Sequence, residues 1–207
     1  MTRIVPLLEL RGVCLCSGSQ ELNLTVLPGD SWVVLGEEAS GKSLLMRMMV
    51  DLHRPDGGQV IRSSAAVGVL FRDPDAHFIC ATPAEEVALT PRSQGLRGRE
   101  LTERIAEALV LAGLDERLIQ AEWSMLSASQ RYRVAVAAVF AASPRLVLVD
   151  EPGALFSDHG EVEFAQTLQT FIRNHAGGLV IFTSRPSRAA LFDGQVLTLL
   201  KPSFPNP

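Results

Sequence analysis

Two groups of residues have the types and spacings for chemistry on a phosphate, and a third has those of a helix start. The first is Gly36-Glu37-Glu38-Ala39-Ser40-Gly41-Lys42-Ser43, followed by Leu44, which fits G-x-x-x-x-G-K-[ST], the phosphate-binding loop called Walker A. Glycines let backbone N–H groups turn inward around an anion, and a helix starting near Gly41 adds its positive N-terminal end. In that geometry Lys42 reaches the outer phosphates and Ser43 holds a magnesium ion. The second group is Asp150-Glu151, two carboxylates that close an apolar run. Asp150 could hold the metal through its water shell, and Glu151 could orient or deprotonate an attacking water. The third is Leu126-Ser127-Ala128-Ser129-Gln130, in which Ser127 and Gln130 also have the spacing of a plain helix capping box.

Such groups must be held by a scaffold, and the hydropathy pattern supplies one. Residues Ser31 to Leu35 read as a short buried strand entering the loop, and Leu44 to Val50 read as the helix leaving it. Before them, residues 7 to 28 alternate apolar and polar around Ser17-Gly18-Ser19, as a β-hairpin does. Cys14 and Cys16 read as small buried residues of that hairpin, without the spacing of metal ligands. After the turn at Arg54-Pro55-Asp56-Gly57-Gly58, strands are expected at 59–61 and 66–71. From Pro83 to Ala142 the pattern becomes helical, with Leu101, Ile105, Leu109 and Leu111 to Leu114 as one face and Gly113 as a break. Strand Leu146 to Val149, a helix around Glu161 to Asn174, and strands at 179–182 and 195–200 complete the chain. Continuous apolar strands alternating with helices imply an α/β fold, with a mostly parallel sheet covered on both faces. We therefore expect one domain over residues 1–207, with a core at about 1–82 and 143–200, a helical insertion at about 83–142 and a loose tail from 202 to 207.

Composition narrows the class. The chain has 207 residues, 47% of them hydrophobic, and a net charge of −4, so a sizeable core is possible and no basic stripe marks a nucleic-acid binder. The longest apolar run, Val134 to Ala142, is far short of a membrane span. No secretory pattern precedes Leu7, and the 3 cysteines suit a reducing cytoplasm.

The order of Walker A loop, Leu126 to Gln130, and Asp150-Glu151 resembles the ATP-binding cassette (ABC) family, whose L-S-G-G-Q signature opens a helix leading to the acidic strand end. The resemblance runs from Leu8 to about Leu200. More narrowly, Phe71-Arg72-Asp73-Pro74-Asp75-Ala76-His77 and Pro83-Ala84-Glu85-Glu86-Val87-Ala88-Leu89 resemble the F-Q-N-P-D-x-Q and T-V-E-E-D-V-A-F stretches of the energy-coupling-factor and cobalt-type transporter ATPases. The resemblance implies a P-loop NTPase core, an N-terminal antiparallel β subdomain and a helical insertion. It also implies ATP and Mg²⁺ as ligands, Glu151 and Lys42 as catalytic residues, and Ser43 and Asp150 at the metal. The partners it implies are a second ABC ATPase, in a homodimer or heterodimer, and an integral membrane subunit contacted through residues 73–96. The chain would then be cytoplasmic and peripheral on the inner face of the membrane.

Departures from the family pattern sharpen these expectations. Arg72 stands where a γ-phosphate-sensing glutamine is expected, Ser184 where the switch histidine is expected, and Ala128 and Ser129 where the signature glycines are expected. Side chains at 128 and 129 restrict positive φ and crowd an approaching phosphate. No aromatic residue stands near Cys16 or Ser17 to stack on adenine. The leading reading is a transporter ATPase of reduced activity, and the alternative is a catalytically weak nucleotide-binding regulatory subunit paired with a competent ATPase. Either way turnover in a homodimer should be slow, and in a heterodimer the partner's own Walker site should be the more active. A soluble P-loop kinase or a DNA-repair ATPase explains neither the signature-like stretch nor the absence of a basic surface.

Overall fold

The computed structural model describes residues 4–76, 78–152 and 156–201. The tail expected from 202 lies outside them, as does His77 of the resemblance stretch.

The five strands that read as continuous or near-continuous apolar runs form one parallel sheet. They are β3 (Ser31–Gly36), β5 (Val67–Leu70), β6 (Leu146–Asp150), β7 (Gly178–Thr183) and β8 (Gln195–Leu199), in the order β5-β6-β7-β3-β8. β7 is buried along its whole length and β6 up to Val149, because both faces of the central strands meet other layers. Val33, Val147, Val149, Leu179 and Ile181 point to one core, where helices α4 (Ala128–Ala141) and α5 (Asp158–Asn174) pack. Val34, Leu146, Leu148, Val180 and Phe182 point to the other, shared with helix α1 (Lys42–Met49). The antiparallel sheet, ordered β2-β1-β4 from β1 (Leu8–Cys14), β2 (Leu22–Val26) and β4 (Gly57–Arg62), closes this second core with Leu8, Leu10, Leu22, Leu24 and Val26.

β1 stops at Cys14, so Cys16 is a loop residue and not the buried strand residue that the alternation predicted. The Ser19 hydroxyl accepts from the N–H groups of Leu15 and Cys16 at 3.0 and 3.2 Å, which removes those donors from the ladder. Both Cys14 and Cys16 are half-buried.

The middle of the chain holds helices α2 (Pro83–Ser93), α3 (Gly98–Leu111) and α4, joined by 3₁₀ turns at Glu116–Gln120 and Trp123–Met125. Thr82 caps α2 by accepting from Glu85 N–H, and Pro83 starts it where no N–H is needed. Gly113 follows α3 with φ 63°, which a glycine adopts freely. α4 packs against α2 and α3 and also against β5, so it belongs to both the helical layer and the sheet. Among the described residues, no helix is long and apolar enough to cross a membrane. The short α6 (Pro186–Ala189) follows β7 and completes the elements that position the site.

Candidate nucleotide site

β3 ends at Gly36 and α1 begins at Lys42, so the loop between them turns within a few residues. Gly41 makes this possible: it is the N-cap with φ 96°, and a Cβ there would stand 2.5 Å from Leu15 Cδ1. Ala39 also takes a left-handed φ of 63°, an uncommon conformation for a residue with a side chain. Glu37 and Glu38 are exposed, and Glu37 pairs with Lys201 at 2.9 Å. Ser40 is buried with an unpartnered hydroxyl. The first N–H groups of α1, at Lys42, Ser43 and Leu44, have no partner within the helix. Lys42 is buried, and its Nζ donates to the carbonyls of Gly36 at 2.7 Å and Glu37 at 2.9 Å. These free donors, one orphan hydroxyl and an ammonium turned onto two loop carbonyls fit a polyphosphate.

Beside the loop lies a cleft of about 410 Å³ lined by Leu15, Cys16, Ala39, Gly41, Lys42, Ser43 and Leu44. Its wall on the β1 side is aliphatic and thiol, with no ring.

The acidic strand end faces the loop. Ser43 Oγ lies 3.4 Å from Asp150 Oδ2, a hydroxyl and a carboxylate set as magnesium ligands are. Burial pushes the Asp150 carboxyl above its usual range and the charge of Glu151 adds to this, while the Ser43 hydrogen bond and the charges of Lys42 and Arg72 oppose it. Arg72 thus exerts its field on Asp150 from an exposed position just after β5. A carboxylate whose charged form is disfavoured by burial is one that a divalent cation would stabilise in that form.

Glu151 is held more tightly. It is buried, has φ 47°, and its N–H donates to Phe182 O at 2.8 Å. Its Oε1 accepts from Ser184 N–H at 2.8 Å and lies 3.9 Å from Lys42 Nζ. Its Oε2 accepts from the Thr183 hydroxyl at 3.1 Å and from Arg188 Nη1 at 3.4 Å. Arg188 in turn donates through Nε and Nη2 to Glu161 Oε1 at 3.0 and 2.6 Å. Thr183, Arg188 and Glu161 carry no sequence signal, because nothing in their spacing relates them to Glu151. Ser184, expected at the switch position, reaches Glu151 only through its backbone.

The structure keeps the third group apart. Leu126 is buried, and Ser127 is the N-cap of α4 in a complete capping box, accepting from Gln130 N–H at 3.2 Å and donating its own N–H to Gln130 Oε1 at 2.8 Å. The Ser127 and Ser129 hydroxyls lie 3.1 Å apart, and Leu126 O accepts from Arg131. Ala128 and Ser129 sit in the first turn of a right-handed helix. The restriction on positive φ expected there therefore does not arise. The polar contacts of this stretch stay within its own turn, so this chain by itself does not bring it to the phosphate loop.

The chain matches the profile of the family described as ABC transporter over residues 19–154. It is 31% identical to the energy-coupling factor transporter ATP-binding protein EcfA1 of Symbiobacterium thermophilum, over 85% of this chain and 66% of that protein. It is also 31% identical to a putative ABC transporter ATP-binding protein of Methanosarcina mazei, over 74% of this chain but only 56% of the relative. Among solved structures, cbiO1 of Clostridium perfringens, part of the ABC transporter complex cbiONQ, superimposes with TM-score 0.84 at 21% identity, covering 95% of this chain and 85% of that one. A dimeric ATP-binding cassette with bound ADP and phosphate gives 0.79 at 22% identity over 94% of both chains. The likeness to these two is one of fold: the parallel sheet, antiparallel subdomain and helices are those of an ABC nucleotide-binding domain. With its profile match spanning both the phosphate loop and the acidic strand end, the chain belongs to the ABC transporter family.

Proposed function

We propose that this chain is the ATP-binding and ATP-hydrolysing subunit of an ABC-type membrane transporter of the energy-coupling-factor or cobalt type. The observation that carries the proposal is the meeting of Lys42, Ser43, Asp150 and Glu151 in one place, with Lys42 3.9 Å from Glu151 and Ser43 3.4 Å from Asp150. In this reading Lys42 exchanges the carbonyls of Gly36 and Glu37 for the outer phosphates, and the N–H groups from Gly36 to Leu44 surround the rest. Ser43 and Asp150 would hold a magnesium ion, whose chemistry is to neutralise charge on the phosphoryl oxygens. Glu151 orients the attacking water and accepts its proton. The groups at Leu126 to Gln130 serve a second cassette chain, homologous or identical, since their polar contacts within this chain stay in their own turn.

The surface for a membrane partner is residues 73–96. There Ile79 stands 80% exposed on a loop held in place from behind: Glu86 Oε2 accepts from Ile79 and Cys80 N–H, and Trp123 Nε1 donates to Cys80 O. A groove of about 250 Å³ between α2, α4 and the edge strand β5 lies alongside. An apolar side chain on a well-pinned loop beside a groove suits a docking helix. The test is purification from membranes with the chain's partners, followed by crosslinking and ATP hydrolysis. An integral membrane protein and a second cassette chain are expected, with crosslinks in 73–96. Crosslinks confined to α5 would displace the surface, and a complex that binds ATP without hydrolysing it would overturn the hydrolytic role.

A further inference from the structure

We propose that Arg188 is a positioning residue for Glu151, turning its Oε1 toward Lys42 by anchoring its Oε2. The inference rests on the reading of Glu151 as the residue that handles the attacking water.

Arg188 is only 6% exposed and sits on a helix of four residues, so its charge must be met inside the protein. Glu161 meets it, with two donors on one oxygen at 3.0 and 2.6 Å. The remaining arm of the guanidinium, Nη1, goes to Glu151 Oε2 at 3.4 Å. Arg188 thus joins α5 and α6 to the end of β6. The consequence lies in how the two oxygens of Glu151 differ. Oε2 is occupied by Thr183 and Arg188, whereas Oε1 has one backbone donor, Ser184 N–H, and faces Lys42. Oε1 therefore has the open lone pair, and it lies on the phosphate side.

Arg188 matters most once phosphates draw Lys42 away. Among the described residues, the buried carboxylate then keeps one ion-pair partner, Arg188. Ser184 offers the carboxylate a backbone donor and no charge. A planar guanidinium divided between Glu161 and Glu151 fixes orientation as well as charge, which an ammonium at the same place would not.

The plain alternative is that Arg188 only staples α5 to α6 through Glu161. Single-turnover ATP hydrolysis and ATP binding by the assembled complex separate the two, using Arg188→Gln, Arg188→Lys and the exchanged pair Glu161→Arg with Arg188→Glu. Loss of a positioning contact typically costs about 10²-fold in rate, so Arg188→Gln should lower kcat by about that factor while ATP affinity stays within about twofold. Arg188→Lys should recover part of the rate. The exchanged pair keeps an α5–α6 ion pair but sets a carboxylate against Glu151, so thermal stability should return and the rate should not. Parental kcat in Arg188→Gln, or a rate restored by the exchange, would overturn the proposal. Glu151→Gln serves as the reference: if it hydrolyses ATP as the parent does, the role of Glu151 itself fails. If only Glu151→Gln is slow, the role of Arg188 fails and that of Glu151 stands.

Discussion

The phosphate loop occupies consecutive residues between β3 and α1, whereas the carboxylate facing it is held by groups on α1, at the end of β7 and on α6, with α5 behind them. The loop owes its shape to chain connectivity: two glycines, a left-handed Ala39 and a helix start. The acidic end owes its shape to tertiary packing, because nothing near Glu151 in sequence sets where Thr183, Ser184 and Arg188 arrive. One end of the site should tolerate loosening of the fold, and the other should report it. A charge-balanced cluster of buried Lys42, Glu151 and Arg188 with half-buried Glu161 also means that removing a member strands the rest.

The comparison is sharpest at the chemical step. Removal of a positioned general base costs roughly 10²–10⁴ in rate, so in a homodimer Glu151→Gln should lower kcat by that order with little change in ATP affinity, whereas beside a partner with the more active site it should change kcat only slightly. Single-turnover hydrolysis by the complex measures it. A near-parental rate would move the reaction to a partner's site, as a heterodimer with one strong and one weak site would show.

At the loop the loss is in binding. Lys42→Ala removes a charge-assisted phosphate contact of about 1.5–3 kcal/mol, a weakening of ATP binding of roughly 10- to 150-fold. A fluorescent ATP analogue gives the value directly, and unchanged affinity would place the phosphates elsewhere. Because Lys42 lies 3.9 Å from Glu151, the double mutant should depart from additivity by more than about 0.5 kcal/mol. Strict additivity would mean that the two ends act independently.

The helix start at Ser127 tests whether its hydroxyl serves the fold. Ser127→Ala removes one half of the capping box and should cost about 1 kcal/mol of stability in thermal or denaturant unfolding. Stability unchanged by the substitution would leave phosphate contact in a dimer as its only role.

What the sequence revealed follows the same division. Strands β3, β6 and β7 were readable because unbroken apolar runs bounded by turns leave few alternatives, and the proximity of Lys42, Ser43, Asp150 and Glu151 was expected because their motifs are contiguous. Thr183, Arg188 and Glu161 were not, since a side chain that returns to Glu151 from another element leaves no periodicity. Cys16 was misplaced for a different reason: alternation continues past Cys14, but the hydroxyl of Ser19 takes the backbone donors that a longer strand would need. The capping role of Ser127 and Gln130 was legible from spacing, whereas the helical conformation of Ala128 and Ser129 was not, because the family pattern of glycines there suggests otherwise.

The smallest expected effect concerns the base. Adenine and guanine differ at their polar edges, and a pocket discriminates strongly only when it has buried polar groups that the wrong base would leave unpaired. Here the wall beside the phosphate loop is Leu15, Cys16 and Leu44, with Leu15 packed over Gly41. Such side chains offer area to either purine and a hydrogen-bond pattern to neither. Stacking on an aromatic ring, worth about 1–3 kcal/mol per base where it occurs, is also missing from this wall. ATP and GTP should therefore bind within about tenfold of each other, and both more weakly than in a variant with Cys16→Tyr, which supplies a ring at the same wall. Competition binding with the two nucleotides measures the ratio. A hundredfold preference for ATP would show that polar groups from a partner chain complete the base site, and Cys16→Tyr would then change the ratio little.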